Sequence, residues 1–237
     1  MIKEKGFFEK ELFKRALKNE PEFSKYQLES LESLGNFLAR NDAIFKRVYN
    51  AYRNKEASVE IKLTIGAPLN VSFNWKQQEV SMSRSGMGEV KFTVDAFLHI
   101  LGLVDQILYD VIPVGSIVEI DLDFLPESMS SIMSEARAII VNQKAMLHQE
   151  VDSLYIDYVA NLWPHANQGN IPPLFLSNVM IKNVIHKGHT NDEEQEYIMS
   201  LKEAIVNAHQ KSITFMSEKE LEKLEEMMIE RAGEDSV

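Results

Sequence analysis

A change of hydrophobic period constrains this chain more than any other feature. From Phe8 to Tyr52 apolar residues recur at three- and four-residue spacing, and from Val59 to Trp75 they alternate with polar ones. Val59, Ile61, Leu63 and Ile65 are interleaved with Glu60, Lys62 and Thr64, and Leu69, Val71, Phe73 and Trp75 with Asn70, Ser72 and Asn74. A period of two puts the apolar side chains on one side of a pleated strand, so both runs predict strands with one buried and one wet face. Gly66-Ala67-Pro68 and Lys76-Gln77-Gln78 supply turns, and Val80/Met82 and Val90/Phe92 supply two more short strands. Together they predict an antiparallel meander.

Helices precede and follow it. Phe8, Leu12, Phe13, Ala16 and Leu17 share one helical face before Pro21. Ser24-Lys25-Tyr26-Gln27 has the form of a capping box leading into Leu28, Leu31, Leu34 and Leu38. Asn41 or Asp42 caps a third helix carrying Ile44, Phe45, Val48, Tyr49 and Tyr52. From Asp95 the helical period returns with Phe97, Leu98, Leu101, Val104 and Leu108, until Pro113 forbids its continuation.

Beyond that proline the pattern predicts a strand over Val114–Phe124, with Val118, Ile120 and Leu122 alternating with Glu119, Asp121 and Asp123. Pro126–Glu135 reads as a loop, and Ala138–Val141, Leu154–Trp163 and Ile181–Ile185 read as strands. Thr190-Asn191-Asp192-Glu193 and Ser217-Glu218-Lys219-Glu220 are capping boxes for two C-terminal helices, ahead of a frayed end at Gly233–Val237. The expected fold class is α+β: N-terminal helices, an antiparallel meander and a following helix, then a second small antiparallel sheet with C-terminal helices. The expected domains are 1–111, 112–200 and 201–237.

With 237 residues, 45% of them hydrophobic, the chain can bury a real core. Its formal net charge of −11 argues against electrostatic attraction to nucleic acid or an anionic membrane and favours a basic or amphipathic partner. The longest apolar stretch, around Phe97–Val118, is broken by Asp105, Asp110 and Pro113 and falls short of the ~18–20 apolar residues a spanning helix needs. No membrane insertion is expected. Acids stand near the start where a signal peptide would have its apolar core, so a cytoplasmic location is the default. The absence of cysteine excludes disulfides, thiolate metal sites and a cysteine nucleophile.

Residues able to do chemistry do not assemble into a recognisable set. His186 and His189, with His165 as a third imidazole, are the best metal reading, yet their spacing at a strand end does not make them converge. Asp121 and Asp123 are a possible acid pair, and strand alternation explains them as a solvated face. Ser85-Gly86-Met87-Gly88 is a turn without the lysine of a phosphate loop, and Gly115-Ser116 sits at a strand start. No catalytic residue, metal ligand or cofactor is assigned, and no enzymatic activity is expected. Most methionines fill core gaps, whereas Met129, Met133, Met227 and Met228 lie in a loop and a charged helix, where adaptable contact with a partner is expected.

Three blocks between 112 and 196 resemble a family pattern. Ile112-Pro113-Val114-Gly115-Ser116-Ile117-Val118 matches Leu-Pro-Ile-Gly-Ser-Val-Val, and Ile156-Asp157-Tyr158-Val159 runs to Trp163-Pro164-His165-Ala166-Asn167-Gln168-Gly169, matching a Tyr-Asp-Tyr-Val strand that ends in Tyr-Pro-x-Gly-Asn-x-Gly. Phe175, Ile181, Val184-Ile185, Gly188 and Glu193-Glu194 match the last block. The segment thus resembles a domain-of-unknown-function family (DUF 4176) found in type VII secretion loci of Gram-positive bacteria. Ala166 replaces a family glycine, Asn142-Gln143 stand where the second strand usually ends in Gly-Arg, and the Pro126–Glu135 loop is longer.

The resemblance implies a cytoplasmic, toxin-associated chaperone or targeting factor that binds a secreted effector before export, with small helical secretion proteins as further partners. The family-motif positions Pro113, Gly115, Ser116, Asp157, Tyr158, Trp163, Pro164, Asn167, Gly169 and Gly188 read as turn and fold formers. Departures from the pattern, Asn142 and Gln143 with the four methionines above, are the expected partner contacts. The alternatives are an immunity protein whose negative charge opposes a toxin domain, and a hydrolase.

Overall fold

The computed structural model describes residues 6–20, 23–63, 66–86, 88–125, 127–130, 134–146, 154–164 and 172–234, with side chains not described at 128–129 and beyond 226. Its α+β chain divides into two compact units, each discontinuous in sequence. One comprises Met1–Ala16 and Asp105–Thr214, the other Leu17–Val104 and Phe215–Val237.

The second unit holds the meander. Its strands β1 (Ser58–Ile61), β2 (Leu69–Asn74), β3 (Glu79–Arg84) and β4 (Gly88–Thr93) pair antiparallel in sequence order. Leu69, Val71 and Phe73 are buried while Asn70, Ser72 and Asn74 are exposed, as a period of two requires. Ile65 and Met87 lie outside the described residues.

Helices α2 (Lys25–Ala39), α3 (Asp42–Arg53) and α4 (Val94–Leu103) belong to this unit, with α7 (Glu218–Glu234). The two capping boxes expected here form. Ser24 N donates to Gln27 Oε1 at 3.0 Å and Gln27 N donates to Ser24 Oγ at 3.4 Å. Ser217 N likewise donates to Glu220 Oε2 at 2.8 Å, and Glu220 N to Ser217 Oγ at 3.3 Å. At α3 the expectation needs adjustment: Asn41 occupies the cap position, but its amide donates back to Phe37 O at 2.7 Å. Phe45, Tyr49, Phe73, Phe97 and Phe215 form the aromatic heart of the unit, with Phe73 edge-on to Phe97 at 5.7 Å and Tyr49 edge-on to Phe215 at 5.5 Å.

The first unit is built on a sheet with six strands among the described residues. Strands β5 (Ile117–Ile120), β6 (Ala136–Met146), β7 (Leu154–Trp163) and β9 (Ile181–His186) run in the order β7-β6-β5-β9 with antiparallel pairing. On the far side of β7 lie β8 (Leu174–Leu176), antiparallel, and the two-residue β10 (Lys211–Ser212), parallel. Val118, Ile120, Ala138, Ile140, Tyr158, Ala160, Leu176 and Ile181 form a core on one face of this sheet. Helices α1 (Phe7–Lys18) and α6 (Asp192–Asn207) contribute to the unit, and Arg15 donates to Glu203 Oε1 between them at 2.9 Å.

Four sequence expectations are corrected here. The strand expected over Val114–Phe124 contains only Ile117–Ile120, because Asp121 starts a 3₁₀ turn over Leu122–Phe124 by accepting from Asp123 N at 3.2 Å, an Asx turn. Asp121 and Asp123 therefore do not share a strand face. The strand expected over Ala138–Val141 runs from Ala136 to Met146, since a bulge between Ile140 and Asn142 lets the pairing continue through Asn142 and Gln143. Helix α6 is capped by Asn191, whose Oδ1 accepts from Glu194 N at 2.8 Å, rather than by Thr190. Within Pro126–Glu135, residues Glu127–Ser130 (α5) form a helical turn, and 126 and 131–133 lie outside the described residues.

Candidate functional site

Six of the family-motif residues fall into two groups. Pro113, Gly115, Ser116 and Gly188 form a staple between the turn before β5 and the segment after β9. Ser116 N donates to Pro113 O at 3.2 Å, closing a turn in which Gly115 has φ +83°. The Ser116 hydroxyl is buried and accepts the Gly188 N–H at 2.9 Å, so it serves the backbone. A Cβ on Gly188 would stand 2.2 Å from Val114 O, which leaves room only for glycine.

Asp157 and Tyr158 belong to a buried polar cluster. Lys144, on the neighbouring strand, places Nζ 2.6 Å from Asp157 Oδ1, and both side chains are essentially sealed from solvent at 2% and 0% exposure. Ser212 of β10 donates its hydroxyl to Asp157 Oδ2. Tyr158 Oη accepts from Ile112 N and donates to Asn178 Oδ1, both at 3.1 Å, and Asn178 Nδ2 donates to Asp105 Oδ1 at 3.0 Å. Trp163 and Pro164, joined by a cis peptide bond, sit at the end of β7. Asn167 and Gly169 lie outside the described residues, as does His165.

Burial pushes the Asp105 carboxyl up to about 7, with the Asp157 charge adding to the rise while Lys144, the Asn178 hydrogen bond and Lys202 oppose it. The phenols of Tyr155 and Tyr158 are raised for the same reason, burial first. A carboxyl whose folded-state pKa lies above its unfolded value of 3.8 keeps its proton longer in the folded protein, so its contribution to stability falls as pH rises from about 4 to 7. Asp105→Asn removes that slope and keeps the acceptor for Asn178. We expect the variant to gain on the order of 2 kcal/mol relative to the parent between pH 5 and pH 8. Urea unfolding at the two pH values checks this, and parallel behaviour of parent and variant would show that Asp105 is not the proton-linked group.

Other candidate chemistry disperses. His186 and His189 are exposed, and no group of three or more metal-ligating side chains converges among the described residues. Ser85 and Gly86 follow β3 and Gly88 opens β4 of the same hairpin, with positive φ at Gly86 and Gly88. Met129 lies in the short helical turn, Met227 and Met228 lie in α7, and Met133 lies outside the described residues. Asn142 is exposed beside the bulge, its Oδ1 accepting from Gln143 N at 2.8 Å.

Two surfaces of the first unit are left as candidates for recognition. The first is the sheet face opposite the core. Cross-strand partners point the same way, so the rows Phe175–Val159–Asn142, Asn161–Ile139–Ile117–His186 and Trp163–Arg137–Glu119–Asn183 share that face. Trp163 and Phe175 are exposed on it, at 38% and 52%. At its border β9 pairs with β5 alone among the described residues, held by Lys182 and Asn183 donating to Glu119 at 2.7 and 2.8 Å, and carries Val184 and Ile185 half-exposed.

The second is a cavity of about 100 Å³. Val111, Pro113, Ile198 and Met199 are its apolar walls, Glu9 and Lys202 line it from α1 and α6, and Asp110, Lys187, Asp192, Glu194 and Glu196 surround them. Lys202 Nζ donates to Ile107 O and Tyr109 O, both at 2.9 Å, and stands 3.6 Å from Glu9 Oε1. Sequence reasoning missed Lys144, Ser212, Asp105, Asn178 and Glu9. Only Lys144 left a local trace, a lysine that strand pairing sets against the motif aspartate.

Residues 111–197 match the model of a family described as Domain of unknown function (DUF4176). The matched segment holds β5 to β9, the staple, Asp157 and the start of α6, and covers less than half of the chain. No curated protein and no solved structure matches the chain.

Proposed function

We propose that this protein is a non-enzymatic, cytoplasmic chaperone or targeting factor, which holds a secreted effector of a type VII secretion system before export. The observation that carries the reading is the edge strand β9, which pairs with β5 alone among the described residues and carries half-exposed Val184 and Ile185, within the family-matched segment. An edge strand offers unpaired main-chain groups to an extended segment of another chain, and half-exposed Val184 and Ile185 offer it apolar contact. Burying such a side chain contributes roughly 1.5–3 kcal/mol, so a strand-length contact along β9 is enough to shield an aggregation-prone segment and still release it. The buried carboxylate Asp157 is engaged by Lys144 and Ser212 in holding the sheet, which supports binding over catalysis.

The test is co-expression and affinity capture of the effector encoded beside this protein, followed by the Ile185→Pro variant. Proline removes a main-chain donor from the edge, and capture is expected to fall by about tenfold or more if that strand is the docking site. No stable complex with any effector of the locus would sink the proposal. The bound effector's catalytic domain should remain active, because an immunity protein would abolish that activity.

A further inference from the structure

The cavity between α1, the Asp110–Pro113 segment and α6 has three properties that select one kind of occupant. Its volume of about 100 Å³ accepts a single side chain, against the ~300–1,000 Å³ that small-molecule and cofactor sites use. Val111, Pro113, Ile198 and Met199 line it with apolar surface suited to a methylene stem. Glu9 lies against it, only 6% exposed, and its Oε2 has no hydrogen-bond partner among the described residues.

A buried carboxylate oxygen with nothing to accept from is an acceptor awaiting a donor. Lys202 does not fill the role, since its ammonium is drawn to the carbonyls of Ile107 and Tyr109 and stays 3.6 Å from the other oxygen of Glu9. The lining holds five carboxylates against two lysines, which disfavours an anion. The start of α6 would itself attract negative charge, but Asp192, Glu193 and Glu194 already occupy its first turn and Asn191 caps it. We infer that this cavity receives a basic side chain, arginine or lysine, presented by a protein partner, with Glu9 taking the charged head and the apolar walls the stem. On the reading given above, that side chain belongs to the secreted effector.

The test needs no effector. The full-length protein, labelled with ¹⁵N, is titrated with N-acetyl-arginine amide, with N-acetyl-lysine amide, and with the citrulline analogue, which keeps the shape of arginine and lacks its charge. Saturable shifts at Val111, Ile198 and Met199 are expected with the two cationic probes and not with citrulline. Glu9→Gln should weaken the cationic probes by about tenfold, and Glu194→Gln by about twofold with loss of that difference at high salt. Met199→Trp, which fills the cavity and leaves Glu9 in place, should block all saturable binding and serves if Glu9→Gln does not fold. Equal binding of citrulline, or cationic shifts that stay unsaturated or persist in both Glu9→Gln and Met199→Trp, overturns the assignment. These outcomes are read on this chain alone, so a failure to capture an effector bears on the proposed function and leaves the cavity assignment standing.

Discussion

Lys144→Met is expected to lower the stability of the protein by about 3–5 kcal/mol, because it strands a buried carboxylate. Asp157 is fully sealed, and its charge is balanced by the Lys144 ammonium at 2.6 Å and the Ser212 hydroxyl. Removing the ammonium leaves one neutral donor, with the Asp105 carboxyl repelled by the same Asp157 charge. Lys144 also adopts φ +48°, a left-handed conformation that costs a residue with a side chain roughly 1 kcal/mol or more. The ion pair offsets that strain. The double variant Lys144→Met/Asp157→Leu removes both charges together, and it should recover much of the loss, since an ion pair replaced whole by apolar groups is often neutral. Equilibrium urea unfolding of the parent, both singles and the double gives the coupling directly. A single-variant cost below about 1 kcal/mol would mean that water or a rearranged partner compensates Asp157.

The same cluster explains why this part of the molecule was hard to read from sequence. Local patterns were legible where the determining contacts are local. Both capping boxes at Ser24 and Ser217 form between residues three apart, the meander follows its alternation, and β7 spans Leu154–Trp163 as the run of apolar residues predicts. Lys144 follows Asn142 and Gln143, so its surroundings read as a polar surface segment. Its burial depends on Asp157 across the hairpin and on Ser212, which is 55 positions from Asp157 in sequence. Asp105 meets Asn178 across 73 positions.

The misread elements have physical reasons of the same kind. Asp121 continues an alternating pattern in sequence, but its carboxylate captures the Asp123 N–H and turns the chain, while Asp121 N donates to Met180 O. A pattern of hydrophobicity does not register that competition between side chain and ladder. Glu9 looks like any other acid on the amphipathic α1, where charged residues are usually solvated. Its burial follows from the contact with Lys202 and the segment before β5, neither of which is near it in sequence.

Gly188→Ala should be the most damaging single-methyl change in the family-matched segment, costing about 3 kcal/mol or more or preventing the unit from folding. The added Cβ would lie 2.2 Å from Val114 O and 3.1 Å from Ser116 N, and both are backbone atoms that cannot rotate away. Relief requires moving the Pro113–Ser116 turn, which Gly115 N anchors by donating to Ile140 O at 2.8 Å, or breaking the bond from Gly188 N to Ser116 Oγ. Gly115→Ala is the informative comparison. Its Cβ meets nothing within 4 Å, so it should lose only the roughly 1–2 kcal/mol that a positive φ costs a residue with a side chain. Denaturant midpoints of the two alanine variants separate close approach from backbone strain, and equal losses would overturn the assignment of Gly188 to close approach. The staple also connects the fold to recognition, since Pro113 on one side of it and Lys187 on the other line the cavity above Glu9. A Gly188→Ala protein that still folds should therefore bind N-acetyl-arginine amide more weakly than Gly115→Ala does.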